Sequence, residues 1–449
     1  MSKITDYRII IPSCPLRAER RAAAFLREKI KLICGKSIDI LPDMAEPTAL
    51  EIVLGCTNRE TLDGIDLKRN PRGDWEYIIK KYGDRLYLTS CTDSKEQKND
   101  ESSVGTVMAA YRFVEKILGY DFLNSAYEAY EEKPDLEMPS EYEFIFTREK
   151  LRAQEPMLFD GAAMYVTNCA EDINWNCQGM IFKTRSGKLI VMDGGQPYET
   201  DRFIRILQKI SGEDVPHVTA WIFSHMHPDH WGVYDTLCRL PEYHHKVKVD
   251  DFYCNLLTEE FYSTLCAEPQ QVFLPPRARY LASENTVGAK VHTVEKGDLI
   301  TVDEIEIEVL HVPELKHARR MNVNDSSVVY KLTYDKKQTI MLLGDAEEVC
   351  NEDLLETMSH KLKSDVVQVG HHGCGNVSRK CYRAIDADAY IWPVGERFWY
   401  SDNGSELNTH NTGVLRSRDY MMAEKPPKPE NVYVVIDDIL SLPLPMPIY

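Results

Sequence analysis

Val218-Thr219-Ala220-Trp221-Ile222-Phe223 runs directly into Ser224-His225-Met226-His227-Pro228-Asp229-His230. The first segment is an apolar run of strand length. The second carries three imidazoles and one carboxylate within six residues, His225 to His230. Packing does not account for such a cluster, because each polar ring, once buried, needs its own partner. A divalent cation satisfies several of them together. As the chain leaves the strand, alternation points His225 and His227 to one side, while Asp229 and His230, opening the next helix, turn toward a neighbouring position. The competing reading is a polar surface loop with coincidental histidines.

Working outward, other segments place polar residues just after apolar stretches. Val191-Met192-Asp193-Gly194-Gly195 lies upstream; Asn324-Asp325-Ser326-Ser327-Val328-Val329, Leu342-Leu343-Gly344-Asp345-Ala346-Glu347 and Val369-Gly370-His371-His372-Gly373 lie downstream. With these motifs in this order, residues 157 to 440 resemble the metallo-β-lactamase superfamily. Within it, the motifs are most similar to the lactamase-like domain of competence DNA-uptake proteins and to phosphodiesterase-like members.

The resemblance implies an αββα four-layer sandwich and a centre for two divalent metal ions. It implies metal ligation by His225, His227, Asp229, His230, Asp345 and His371, with Asp345 bridging both ions. Asp193 would orient a ligand histidine, the usual role of a carboxylate behind a metal-bound imidazole. The chain departs from the lactamase pattern where a third histidine for the first ion belongs. It reads Leu310-His311-Val312-Pro313-Glu314-Leu315 there; neither His311 nor His317 matches, and Asn324 occupies the region. Of the adjacent pair, His371 is favoured as the ligand because it follows its strand more closely, which leaves His372 to face substrate. His410, in Asn408-Thr409-His410-Asn411, can reach the site and stabilise an oxyanion; an exposed histidine in a helix-capping segment is the equal alternative. Imidazole-dominated N/O ligands suit zinc first, then manganese or iron. Asp229 has a second candidate role, holding or deprotonating the nucleophile.

The 449 residues exceed one ordinary core, so two domains are expected, 1–150 and 151–449. In the first, Ala22, Phe25, Leu26, Ile30 and Ile33 recur at helical spacing up to Gly35. Short strands follow at Ile38–Leu41 and Leu50–Leu54, a hairpin flanks Tyr82-Gly83-Asp84, and a second helix runs from Gly105 to Gly119. This stretch resembles the small α/β domain that precedes the catalytic barrel in several glycoside hydrolase families, a domain without chemistry of its own. Beyond it, strands alternate with helices: Met180–Lys183 and Lys188–Met192 as a pair, a helix from Thr200 to Ile210, and an alternating run from Leu299 to Val312.

Composition narrows the function. Hydrophobic residues make up 43% and charged residues 28%, a globular balance, and the net charge is −18. An acidic surface repels phosphate backbones, so a nucleic-acid partner is not expected. No apolar run approaches the ~18 residues of a membrane span, no secretory pattern opens the chain, and the 12 cysteines lack a paired spacing. The expectation is a cytoplasmic, metal-dependent hydrolase acting on a small anionic ester, most concretely a phosphodiester, with a glycan- or phosphate-containing small molecule as substrate. Two alternatives stand beside it. One is a non-catalytic metal-binding protein whose site has lost its third histidine. The other is a diiron redox protein, disfavoured by His227 and by the lack of a recognisable flavin module.

Overall fold

The computed structural model describes residues 2–449 apart from 68, 70–74, 93–102, 124–129, 172, 174, 266–269, 318, 375–376, 401–416, 419 and 422–424. The chain divides into two units, Met1–Leu151 and Arg152–Tyr449. Among the described residues no helix is long and apolar enough to cross a membrane.

Unit 1 is a six-stranded mixed sheet made of β1 (Arg8–Ile11), β2 (Ile40–Pro42), β3 (Glu51–Leu54), β4 (Tyr77–Tyr82), β5 (Arg85–Ser90) and β6 (Glu143–Phe146), in the order β2-β1-β3-β5-β4-β6. The helix Arg17–Cys34 buries Ala22, Leu26, Ile30 and Ile33 on one face and stops where Gly35 takes φ 75°, a conformation that costs glycine little. The second helix, Val104–Phe113, is buried on every side and continues through Val114–Leu118 to Gly119.

One charge cluster stabilises this unit. Glu51 is fully buried at the start of β3 between Arg59, Arg8 and Arg85, with Nε–O distances of 2.8 Å to both Arg59 and Arg85 and 2.6 Å to an Arg8 Nη2. Burial alone would raise its pKa, but hydrogen bonds from Arg59, Arg8, the Thr48 N–H and Arg85 override that and bring it down to about 2. A carboxylate depressed this way stabilises the fold above its unfolded pKa and loses the contribution as pH falls toward about 2. That difference is worth about 3 kcal/mol. Hydrogen exchange of the β3 amides should therefore accelerate steeply as pH drops from about 5 toward 2, once intrinsic rates are subtracted. Glu51→Gln should abolish that pH dependence and show fast exchange already at pH 7, because it leaves the buried Arg59 without its counter-ion.

Unit 2 holds two seven-stranded sheets. The first contains β7 (Ala163–Thr167), β8 (Gly179–Lys183), β9 (Leu189–Asp193), β10 (His217–Ile222), β11 (Lys248–Cys254) and β12 (Lys290–Thr293). The second contains β13 (Leu299–Val302), β14 (Ile305–His311), β15 (Val329–Tyr334), β16 (Gln338–Leu342), β17 (Val366–Gln368), β18 (Ala389–Pro393) and β19 (Val432–Val435). The last strand, β20 (Leu440–Pro443), returns to pair with β7, giving the orders β12-β11-β10-β9-β8-β7-β20 and β13-β14-β15-β16-β17-β18-β19.

Each sheet buries both faces. Met180, Phe182, Met192 and Ile222 of the first meet Ile307, Val309, Leu332 and Leu342 of the second. Trp221, Phe223 and Phe252 on the other face of the first sheet pack under Phe203 and Leu207 of helix Thr200–Ser211 and under Trp231 and Tyr234 of helix Pro228–Arg239. The second sheet is covered by helix Glu348–Thr357, which packs on β14 and against helix Arg379–Ile385. The result is a four-layer αββα sandwich.

The sequence suggested one alternating run from Leu299 to Val312. The structure breaks it into the antiparallel pair β13 and β14. Asp303 makes the turn at φ 52°, a conformation aspartate tolerates. Its carboxylate accepts hydrogen bonds from Thr184 Oγ1 at 3.0 Å and Lys188 Nζ at 2.7 Å.

Candidate metal centre

The motif residues stand at the carboxyl ends of parallel strands. In the first sheet β9 ends on Asp193 and the neighbouring β10 leads into Ser224-His225. In the second, β16, β17 and β18 run parallel and lead into Gly344-Asp345, His371-His372 and the Pro393 turn. In α/β sheets, this is the end at which side chains from separate strands converge on a ligand.

Two groups of ligand-type atoms form there, the atoms of each lying within 4.8 Å of one another. One is His225, His227 and Asp345; the other is Asp229, His230, Asp345 and His372. Asp345 belongs to both. Its Oδ2 lies 3.9 Å from His225 Nε2 and 3.8 Å from His372 Nε2, and its Oδ1 lies 3.1 Å from His230 Nε2. Asp229 Oδ2 is 3.2 Å from His372 Nε2 and 3.9 Å from His230 Nε2. His225 Nε2 and His227 Nδ1 face each other at 3.0 Å.

A set of buried hydrogen bonds aims these rings. Asp193 accepts from Ser224 N at 2.8 Å, from Ser224 Oγ at 2.8 Å and from Gln178 Nε2 at 3.1 Å, and it takes His230 Nδ1 at 2.8 Å. Ser224 Oγ, having donated to Asp193, accepts from His225 Nδ1 at 3.0 Å. His372 Nδ1 donates to the Pro393 carbonyl at 2.9 Å. In His225, His230 and His372 the Nδ1 is thus engaged, which turns Nε2 toward the centre. Gln368 holds the loop bearing Asp345: its Oε1 accepts from Leu343 N at 2.8 Å and Gly344 N at 2.9 Å.

The atoms pointing inward fit a cation. His230 Nε2, His372 Nε2 and Asp345 Oδ1 are buried and, although they crowd one another and Asp229, make no well-directed hydrogen bond, an expensive condition unless something binds them. The electrostatics agree. Burial alone would lower the His230 pKa, yet Asp345, Asp193 and Asp229 hold it well above the usual histidine value. Burial likewise would raise Asp345 and Asp229, but His230 and the neighbouring histidines drive both below the usual carboxylate range. His225 shifts the other way: burial, then the charge on His230, pushes it down, so its ring stays neutral. A site that draws a proton onto His230 to balance three carboxylates is one that a divalent ion satisfies better.

Six of the residues named from the sequence are therefore brought together: His225, His227, Asp229, His230, Asp345 and His372, with Asp193 behind them. The adjacent histidines fall opposite to expectation. His372 enters the four-residue group. His371 instead places Nδ1 3.0 Å from Glu347 Oε1 and its Nε2 3.7 Å from Asp345 Oδ2. The cause is local backbone: His371 and His372 take φ 48° and 51°, so the chain turns left-handed and strand alternation no longer applies. Asn324 lies beside this pair, donating to Glu347 Oε1 at 2.8 Å, with its own Oδ1 buried and unpartnered. His311 is drawn away from the centre, its Nδ1 lying 2.7 Å from Asp353 Oδ2. His410 lies outside the described residues.

Ser224, Gln178, Gln368 and Glu347 carry positions that sequence reasoning left without a role. Glu347, two residues after Asp345, had the clearest signal. Gln178 and Gln368 had none, since isolated glutamines are ordinary surface residues.

No family model matches the chain. ComE operon protein 3 of Bacillus subtilis (strain 168) is 24% identical over 213 residues, which is 46% of this chain and 24% of that protein, so the chain spans well under two thirds of that relative's length. Among solved structures, the metallo-β-lactamase fold protein YhfI from Bacillus subtilis is 11% identical, covering 62% of this chain and 98% of that one, with a TM-score of 0.37. A diphosphatase of the PhnP family is 13% identical over 64% of this chain and 100% of its own, with a TM-score of 0.35. The diiron β-hydroxylase CmlA from Streptomyces venezuelae is 12% identical over 63% and 54%, with a TM-score of 0.38. By its own four layers, and by the order in which its strands deliver Asp193, His225, Asp345 and His372, unit 2 has the metallo-β-lactamase fold.

Proposed function

We propose that unit 2 is a two-metal hydrolase that cleaves a small anionic ester, most concretely a phosphodiester. The observation that carries this reading is Asp345, buried to 2% exposure and shared by two groups of inward-facing donors. Divalent ions held there would lower the pKa of a bound water toward neutrality and clamp the ester oxygens.

His225 and His227 with Asp345 would hold one ion, and Asp229, His230 and His372 with Asp345 the other. Imidazole and carboxylate together favour zinc. His230 and His372 hold the Asp229 carboxyl below the usual carboxylate range, so it stays ionised and would serve the second ion as an anionic ligand. Gln178 binds Asp229 through its backbone N–H to the Asp229 carbonyl at 2.9 Å, which anchors the backbone that carries that carboxylate. His371, partly exposed and hydrogen-bonded to Glu347, faces the same centre from the solvent side and would contact the substrate's anionic group.

Metal content by mass spectrometry, measured beside hydrolysis of bis-p-nitrophenyl phosphate, tests the proposal. About two equivalents of zinc or manganese are expected, with turnover lost and about one equivalent retained in His227→Ala. One equivalent or none in the wild-type chain, with no turnover, would favour a binding protein. Iron with a visible absorbance band would favour redox chemistry.

A further inference from the structure

We infer that Trp175, braced by Phe398, is a stacking platform at the rim of the metal centre and selects esters whose non-reacting part carries a ring. The inference rests on the phosphoester reading above and names its substrate class.

Trp175 leaves 46% of its surface exposed, although the residues that follow it, Asn176, Cys177 and Gln178, are all buried. Its place on the fold sets it apart from a scattered surface aromatic. It stands three residues before Gln178, at most about 10 Å of chain, and Gln178 binds both the Asp229 carbonyl and the Asp193 carboxylate. On the other side, Asn176 Oδ1 accepts from Gly395 N at 2.8 Å, two residues beyond the Pro393 carbonyl that holds His372. The Trp175 carbonyl presses so closely on Gly395 that a Cβ there would sit 2.5 Å away. The two rims are thus fastened together beside Asp229 and His372.

Phe398, on the second rim, meets the indole edge to face, with centroids 6.0 Å apart and planes at 68°. Such a contact favours one orientation of the indole. A braced, solvent-facing indole on a segment tied to the centre through Gln178 and Asn176 supplies what a ligand site needs beyond its charged groups, an apolar surface that sorts ligands by shape. The matching chemistry is a ring with an apolar face, found in a nucleobase or in a pyranose.

The test is calorimetric titration of the zinc-loaded full chain with inorganic phosphate, adenosine 5′-monophosphate and glucose 1-phosphate. One ring-bearing monoester should bind about tenfold more tightly than inorganic phosphate. Trp175→Ala should erase that advantage to within about twofold while leaving the Kd for inorganic phosphate unchanged, and Trp175→Phe should keep most of it. Which monoester loses affinity identifies the ring as base or sugar. If phosphate binds but neither ring adds affinity, or if Trp175→Ala weakens phosphate equally, the platform is overturned and the phosphoester reading stands. If none of the three probes binds, both fall.

Discussion

Asp345→Asn should remove both metal ions and with them all measurable hydrolysis. The substitution keeps the size of the side chain and its place after β16, so the fold is retained. It deletes the one negative charge common to both donor groups. Asp345 sits 3.1 Å from His230 Nε2 and is 2% exposed, so no solvent replaces it. Metal content should fall from about two equivalents toward none, and turnover by about 10³-fold or more, corresponding to about 4 kcal/mol of transition-state stabilisation. A second readout does not depend on activity. Added zinc should raise the thermal midpoint of the wild-type chain, because an ion that binds only the folded state stabilises it by mass action. The variant's midpoint should not move. A variant that keeps two equivalents would show that Asp345 is not the bridge.

Gly344→Ala should damage both the fold and the metal centre. Gly344 has φ +56°, and a Cβ there would lie 2.5 Å from Ser224 Cβ and 3.0 Å from Ser224 Oγ. Ser224 cannot simply step aside, because its hydroxyl joins Asp193 to His225. Left-handed strain and overpacking together should cost about 3 kcal/mol, read as a lower denaturant midpoint. Pushing Ser224 also tilts His225, so zinc affinity should fall about 10–100-fold. Gly212→Ala is the control: it shares a positive φ of +74° but meets nothing within 4 Å. Its cost should stay near 1 kcal/mol, with zinc binding unchanged. Equal losses in the two variants would mean that backbone strain alone, and not the contact with Ser224, explains Gly344.

Much of the fold was legible because its signals are local. The helix Thr200–Ser211 follows from the helical pattern legible from Thr200 to Ile210. β8 and β9 follow from two apolar runs around Ser186-Gly187. The break at Asp303 was missed because the segments on either side each alternate in period two and only Asp303-Glu304 separates them. In the N-terminal unit, nothing in the spacing of Glu51, Arg59 and Arg85 marks them as one buried cluster, since the sheet assembles them from separate elements.

The residue types at the centre could be named from the linear chain. Imidazoles and carboxylates are costly to bury, and their recurrence after apolar strands is visible without coordinates. Which of two adjacent imidazoles faces inward was not a linear property. It depends on the left-handed turn at His371 and His372, and on the Pro393 carbonyl, a partner from the next strand that takes the His372 ring. The roles of Gln178 and Gln368 were equally hidden, because an amide acquires one only when folding sets it against a carboxylate or a loop's N–H groups. The sequence alone determined the layered fold and the donor chemistry, through hydrophobic period and residue type. Tertiary structure decided how the donors are shared and aimed, because direction in a buried site is set by hydrogen bonds between strands far apart in the chain.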